Sequence, residues 1–252
     1  MPADLRLSYS KLELYDRCPR AYYLQYVLSL PPKQNFYSAY GTLMHDIIRQ
    51  RIEGALPEGE AHLQFARRFE AEVTPHSQDD ELSTKWWLSG DDALSRPPLP
   101  EDAKEVLEVE EKRVTDLFGV DFSSIIDVLY RDTSGRLILM DHKSAARSSF
   151  YGKQGQKKCR QLYIYSAVVK QVYGVFPDLL VFNLFREGKR VEYPFSLSDH
   201  QETMAWAQDI VDDIRYLTSH AESESDWAAV TSPRFFCNTL CDVADSCGEH
   251  LF

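Results

Sequence analysis

Positive charge is scarce in this chain: Lys and Arg number 28 against 39 Asp and Glu, a formal net charge of −11 over 252 residues. That balance excludes a protein that coats nucleic acid with its whole surface. Long apolar runs are missing as well, and no stretch approaches the roughly 18 uninterrupted apolar residues of a membrane span. The opening MPADLRLSYS has neither the cationic start nor the apolar run of a signal peptide, so a cytoplasmic protein with no membrane partner is expected. No P-loop GxxxxGK[ST] occurs, which leaves ATP-driven unwinding to another protein. With 11 Gly and 12 Pro and no internal repeat, the composition is neither collagen-like nor low-complexity. Cysteine is limited to 5, an odd number that argues against a disulfide framework and leaves metal binding or burial.

What is present is unevenly placed. From His142 to Arg160 the chain carries Lys143, Arg147, Lys153, Lys157, Lys158 and Arg160 with no acid, whereas Asp199 to Asp226 is acidic with Arg215 as its single base. This polarity suits an anionic-ligand site on an acidic body; the plainer reading is two solvated helix faces of opposite sign. Cys237, Cys241 and Cys247 crowd the C-terminal end in CNTLCDVADSC, and Cys18 stands near the N-terminus in RCPR. Cys159 lies between Lys158 and Arg160, where packing is the plainer explanation.

Periodicity predicts helices first. Ser8 or Ser10 caps a helical run over Leu12–Tyr26, interrupted at Cys18-Pro19, and Ser38–Ala55 and Ala61–Val73 follow as helices. Residues 74–100 are polar and Pro-punctuated around Trp86-Trp87, and read as a loop insertion with room for one short helix. The period then changes to two over Glu105–Thr115, Asp121–Arg131 and Arg136–Lys143. A helix over Lys153–Tyr173, a hairpin of Asp178–Arg186 and Arg190–Pro194, and an acidic amphipathic helix over Ser198–Ser219 complete the pattern. Its expected fold class is α/β, a mixed central sheet flanked by helices.

In a strand, residues two apart share a face, so Asp141 and Lys143 of LILMDHKSA project together while His142 points away. A turn centred near Ser134 brings Asp127 of SSIIDVLY opposite Asp141. Two carboxylates and an ammonium would thus converge among Leu, Ile, Val and Met, where charge without partners is costly. Paired carboxylates of this kind suit Mg²⁺ or Mn²⁺, and a lysine beside them can stabilise developing negative charge. The plainer reading is a structural ion pair between Lys143 and either aspartate.

Asp127, then Asp141-x-Lys143, then Gln161-x-x-x-Tyr165 on the next helix resemble the PD-(D/E)XK nuclease superfamily, in particular its RecB-like branch. GTLMH, ending in His45, resembles that branch's upstream helix motif. The four thiols Cys18, Cys237, Cys241 and Cys247 resemble the subgroup carrying an iron–sulfur cluster, the AddB-type nuclease domains and the CRISPR-associated four-cysteine exonucleases. The resemblance spans Ser8 to Cys247. It implies a restriction-endonuclease-like core whose N- and C-terminal segments join at a [4Fe–4S] cluster.

Carried over by position, the resemblance implies that His45, Asp127 and Asp141 bind the divalent metal, with the backbone carbonyl of His142 as a further ligand. Lys143 would orient or activate the attacking water, and Gln161 and Tyr165 would position Lys143, the phosphate or a base. Gly41, one turn before His45, removes bulk where another element or a metal could approach. Two features depart from the family: Ile125 stands where a glycine usually precedes the aspartate by two residues, and three residues separate Cys237 from Cys241 where many members have two. A Cys₄ site serves zinc as well as iron on spacing alone. In related nucleases a glutamate in the region of Glu108, Glu110 and Glu111 can reach the metal; most strand glutamates are solvated, which is the plainer reading for Glu110 too. Trp86, Trp87, Tyr22, Tyr23 and Tyr26 are candidates for stacking on unpaired bases, with core packing the plainer role.

The expected protein is therefore a single nuclease domain over 1–252, with its core at about 105–195, an N-terminal helical part over 1–73, a variable insertion at 74–100 and a cluster segment at 231–252. It is expected to hydrolyse DNA with Mg²⁺ or Mn²⁺ as an exonuclease on single strands or duplex ends. Arg147, Lys153, Lys157, Lys158 and Arg160 are expected to hold the strand through its phosphates. DNA repair, recombination, phage DNA metabolism and CRISPR spacer processing are the matching settings, with a helicase or a CRISPR integrase as partner. The alternative is a catalytically idle, cluster-stabilised DNA-end-binding or assembly subunit.

Overall fold

The structure is a computed structural model that describes residues 5–77, 79–229 and 236–247, apart from the side chains of residues 153, 154 and 156. Two compact units emerge, one of residues 1–35, 114–124 and 201–252, the other of 36–113 and 125–200. No helix among the described residues is long and apolar enough to cross a membrane.

In the first unit, β1 (Arg6–Leu7) pairs in parallel with Asp121 and Phe122 at the start of β3 (Val120–Asp132). Helix α1 (Tyr9–Arg17) begins at Ser8, whose hydroxyl accepts the N–H of Lys11. It stops at Cys18 because Pro19 has no N–H to continue the ladder; Pro19 instead opens α2 (Pro19–Tyr22), a position that its fixed φ favours. Tyr22 and Tyr23 stack on the buried Trp227 at ring distances of 6.0 and 5.3 Å. Core packing thus occupies both rings.

The second unit contains the catalytic candidates. Helix α3 (Phe36–Ile52) buries Phe36, Tyr40, Leu43, Met44, Ile47 and Ile48 against α4 (Glu58–Arg68) and α5 (Asp80–Leu94), which contribute Phe65, Trp86 and Leu94 to the same core. The 15-residue α5 is far longer than the one short helix allowed within the expected loop over 74–100, and corrects that reading. Asp79 caps it by accepting the N–H groups of Glu81 and Leu82, and Ser83, Trp86, Gly90, Ala93 and Leu94 supply a helically spaced buried face. Trp86 meets the Tyr40 ring edge-on at 4.8 Å and is only 9% exposed, so it is core and not a base-stacking platform. Trp87 packs partly buried against the same core.

The sheet is mixed, flanked by helices. Strand β2 (Ala103–Leu117) pairs with β3, which forms an antiparallel hairpin with β4 (Leu137–Lys143) in the register Val128–Met140 and Leu129–Leu139. Asp132 builds the turn: its carboxylate accepts the backbone N–H groups of Ser134 and Arg136 and the guanidinium of Arg136, and Gly135 takes the left-handed conformation at φ 82°. Helix α6 (Gly152–Tyr173) then returns the chain to β5 (Leu179–Leu184), parallel to β4, and β6 (Lys189–Pro194) closes as an antiparallel hairpin. Val128, Tyr130, Ile138, Met140 and Val181 form the core on the face of the sheet opposite Asp141 and Lys143. Helix α7 (Leu197–His220) follows.

Candidate active site

Continuing the hairpin register by one pair sets Asp127 across from Asp141. Strand alternation places Asp141 and Lys143 on one face, with Lys143 Nζ 2.7 Å from Asp141 Oδ2. Gln161, reaching over from α6, ties the pair together: its Oε1 accepts from Lys143 Nζ at 2.9 Å, and its Nε2 donates to Asp141 Oδ1 at 2.8 Å. Tyr165, one turn farther along, is buried beside this group, and burial, followed by the Asp141 charge, raises its hydroxyl pKa. His142 faces the other way, where its Nδ1 lies 2.9 Å from Asn183 Nδ2.

His45 on α3 joins the site through both ring nitrogens. Nδ1 lies 2.9 Å from Glu110 Oε1 and 3.4 Å from Asp127 Oδ2, and Nε2 lies 2.9 Å from the carbonyl oxygen of His142. A carbonyl and a carboxylate both only accept, so in the metal-free ring both nitrogens donate, Nε2 to the His142 carbonyl and Nδ1 toward the carboxylates. The His142 main chain works at both ends, since its N–H donates to Asp127 Oδ2 at 2.6 Å. One peptide segment of β4 thereby orients both His45 and Asp127.

Glu110 enters the site through its backbone. It sits within β2 at φ 48°, a left-handed conformation that is uncommon for a residue with a side chain and that breaks the strand's alternation. Its neighbours have other roles: buried Glu108 accepts from Arg113 Nε and the Tyr173 hydroxyl, both at 3.0 Å, and exposed Glu111 pairs with Arg113 at 2.8 Å.

His45, Glu110 and Asp127 each present a ligand atom, all within 4.8 Å of one another. Asp141 stands outside this trio, engaged with Lys143 and Gln161. Electrostatics show that the pocket is short of positive charge. Burial works against a charged His45, yet Asp127, Glu110 and Asp141 outweigh it and raise its pKa to about 9. Burial raises Asp127, against the opposing pull of His45, and lifts Asp141 to about 6, against the opposing pull of Lys143. His142 is held down to about 3, chiefly by burial. Crowded carboxylates that favour a proton fit a divalent cation with oxygen and imidazole ligands.

The sequence model of the PD-(D/E)XK nuclease superfamily matches residues 6–248. The chain belongs to that superfamily. Nucleases of this superfamily use divalent metals, and His45, Glu110 and Asp127 form a group whose ligand atoms are close enough to hold one. Among solved structures, a candidate exonuclease from Eubacterium rectale shares the fold at TM-score 0.57 and 9% identity, over 96% of this chain and 87% of that one. The crystal structure of SSO0001 aligns at TM-score 0.39 and 14% identity, over 100% of this chain and 90% of the other, a likeness too low to carry an argument. A search of curated proteins finds no match.

Within this PD-(D/E)XK chain, the basic residues after β4 differ in setting. The Arg147 guanidinium lies 5.4 Å from the Tyr151 ring, and Lys157 is exposed. Lys158 is half-buried, donating to Ser149 Oγ at 2.8 Å over the Phe150 ring, and Arg160 is half-buried as well. The Lys153 side chain falls outside the described residues. Among the described residues, nothing beyond the local helix backbone lies within 4 Å of where a Gly41 Cβ would stand, so packing among them does not require that glycine.

The four clustered thiols do come together, all in the first unit. Cys18, at the junction of α1 and α2, packs with Cys237, Cys241 and Cys247 among Ala21, Leu24, Phe236 and Val243. Burial and then the neighbouring thiols push Cys241 up to about 11 and raise Cys237. Cys159 is separate, buried on α6 and pushed up to about 12 chiefly by burial, as befits an unreactive packed thiol.

Proposed function

We propose that this chain is a metal-dependent DNA exonuclease of the RecB-like branch, acting on single strands or duplex ends. The observation that carries the reading is the convergence of His45, Glu110 and Asp127 beside the linked Asp141, Lys143 and Gln161. His45 Nδ1, Glu110 and Asp127 would hold a Mg²⁺ or Mn²⁺ ion, with Asp141 across the hairpin completing the acidic wall. Such an ion would supply the charge that polarises a phosphate and lowers the pKa of bound water. Lys143 brings an ammonium to the phosphate as its negative charge grows, and Gln161 fixes that ammonium in place. The phosphate is bound among buried groups, where these charges act more strongly than in water.

The exonuclease assignment draws on the motif resemblance and on the description of the E. rectale neighbour. The test is incubation of end-labelled single-stranded and duplex DNA with Mn²⁺ or Mg²⁺, beside Lys143→Ala. Stepwise shortening from an end that is lost in the variant supports the reading. An inert wild-type protein would move the weight to an assembly subunit.

We further propose that Cys18, Cys237, Cys241 and Cys247 hold a [4Fe–4S] cluster. The four thiols pack in one cluster with Ala21, Leu24, Phe236 and Val243. A Cys₄ set serves zinc as well as iron, and the motif resemblance is what favours the iron–sulfur cluster. Iron content and visible absorption of anaerobically purified protein, lost in Cys241→Ser, test the assignment; zinc in their place would refute it.

A further inference from the structure

Arg186 lies in the short turn Phe185–Glu187 at the carboxyl end of β5, where Leu184 pairs with Lys143. Its guanidinium carbon stands 3.6 Å from the centroid of the Trp86 ring. Nε donates to Ser89 Oγ at 2.9 Å, and Nη1 donates to the carbonyl of Ser144, the residue after Lys143, at 3.1 Å. These partners are all neutral, and among the described residues no carboxylate lies within ion-pair distance. By contrast, Arg49, Arg68, Arg113 and Arg136 of the same unit each hold a carboxylate.

The adjacent Glu187 carboxylate acts on Arg186 only from beyond ion-pair distance, and half-burying a cation with no carboxylate in contact costs free energy that a structural role does not require. The arrangement is also preorganised: Trp86 is itself locked by Tyr40 and by Tyr37, at ring distances of 4.8 and 5.2 Å, so the guanidinium is held before any ligand arrives. Among the described residues Nη2 has no hydrogen-bond partner, which leaves one edge of the fork for an acceptor. The location is the carboxyl end of two parallel strands, where α/β sheets bind ligands.

We propose that Arg186 binds a DNA phosphate next to the one being cleaved, which makes it a substrate-binding residue; this rests on the nuclease reading above. Trp86 and Ser89, on the helix that composition marks only as an insertion, position it.

Binding is measured in the Lys143→Ala background, so that DNA survives, as anisotropy of a labelled single-stranded oligonucleotide over a salt series. Adding Arg186→Ala is expected to lower the slope of log K against log salt by about 0.7, the share of one phosphate contact on a single strand. In the otherwise unchanged chain it raises KM about tenfold with little change in kcat, the pattern of lost ground-state binding. Arg186→Lys keeps the charge and therefore the salt slope, but loses the fork and most of the KM benefit. Thermal unfolding checks each variant, and the lysine variant alone decides the matter if the alanine variant does not fold: wild-type KM in it overturns the proposal. Arg190→Ala, an exposed arginine on β6, is the control with an unchanged slope. An unchanged slope and KM in Arg186→Ala, with binding and cleavage intact in the wild type, would overturn this proposal alone. Failure of the wild type to bind or cleave DNA would overturn the nuclease reading with it.

Discussion

Glu110 Oε1 lies 2.9 Å from His45 Nδ1, joining a strand to a helix residue 65 positions away. The contact depends on a left-handed backbone at Glu110 that turns its carboxylate out of the strand's alternation. Glu110→Ala is expected to weaken Mn²⁺ binding by about 10- to 100-fold, whereas Glu111→Ala leaves it unchanged. Glycine tolerates positive φ, so Glu110→Gly should be more stable than Glu110→Ala by about 1 kcal/mol while binding metal equally poorly. Calorimetric titration with Mn²⁺ and urea unfolding measure the two effects; equal stability of the alanine and glycine variants would remove the strain argument.

The pH response of the site follows from His45 and Asp141. In chelator-treated protein His45 is raised from 6.5 to about 9, so its charged pairing stabilises the fold fully below 6.5 and is lost as pH rises through 9. Asp141 is raised from 3.8 to about 6, so the folded state binds the extra proton and stability falls as pH climbs between those values. Both groups make the metal-free site less favourable at higher pH, and a divalent ion on His45 Nδ1 takes the place of that ring's proton and adds positive charge beside Asp141. The rise in unfolding temperature on adding Mn²⁺ is expected to be larger at pH 8.5 than at pH 5.5. An equal rise at the two pH values would contradict this.

Gln161 bonds Asp141 and Lys143 at once, at 2.8 and 2.9 Å. Gln161→Ala frees the ammonium without touching the ion-binding trio, so kcat is expected to fall about 10- to 100-fold with Mn²⁺ affinity near wild type. Single-turnover cleavage combined with metal titration separates the two. A matching loss of metal affinity would show that Gln161 supports the ligands instead.

Three glycines differ in what they tolerate. A Cβ at Gly155 would collide with the Phe150 carbonyl oxygen, and one at Gly90 would meet Phe65 Cζ at 2.5 Å and the Tyr40 hydroxyl at 2.8 Å. Alanine at either position is expected to destabilise by about 1–3 kcal/mol. Gly41→Ala meets nothing within 4 Å and should stabilise α3 by about 1 kcal/mol through helix propensity. Urea denaturation ranks the three. Loss of cleavage in a stabilised Gly41→Ala protein would show that DNA uses the space one turn before His45.

Much of the site's local geometry is legible in the sequence because it rests on short-range periodicity. Alternation in a strand decides that Asp141 and Lys143 share a face, and Asp132 with Gly135 sets the turn that brings Asp127 across from Asp141. The four-residue spacing of Gln161 and Tyr165 likewise puts both on one helix face. Helix α5 was illegible because its Gly and paired Asp weaken intrinsic propensity, and the burial of Trp86 and Leu94 that stabilises it comes from partners on α3 and α4.

The sequence by itself determined the mixed α/β pattern, the hairpin that pairs the aspartates and the superfamily motif. Only the tertiary structure decided which of three neighbouring glutamates faces His45, which nitrogen of that ring meets the carboxylates, and that Asp141 spends its bonds on Lys143 and Gln161. It also decided that Cys18 packs with Cys237, Cys241 and Cys247, and that Arg186 rests on Trp86 with no carboxylate among the described residues in ion-pair contact. The reason is physical. Alternation and helical repeat are written in separations of two to four residues, whereas a left-handed backbone, a ring's orientation and a contact between distant segments depend on packing that no local spacing encodes.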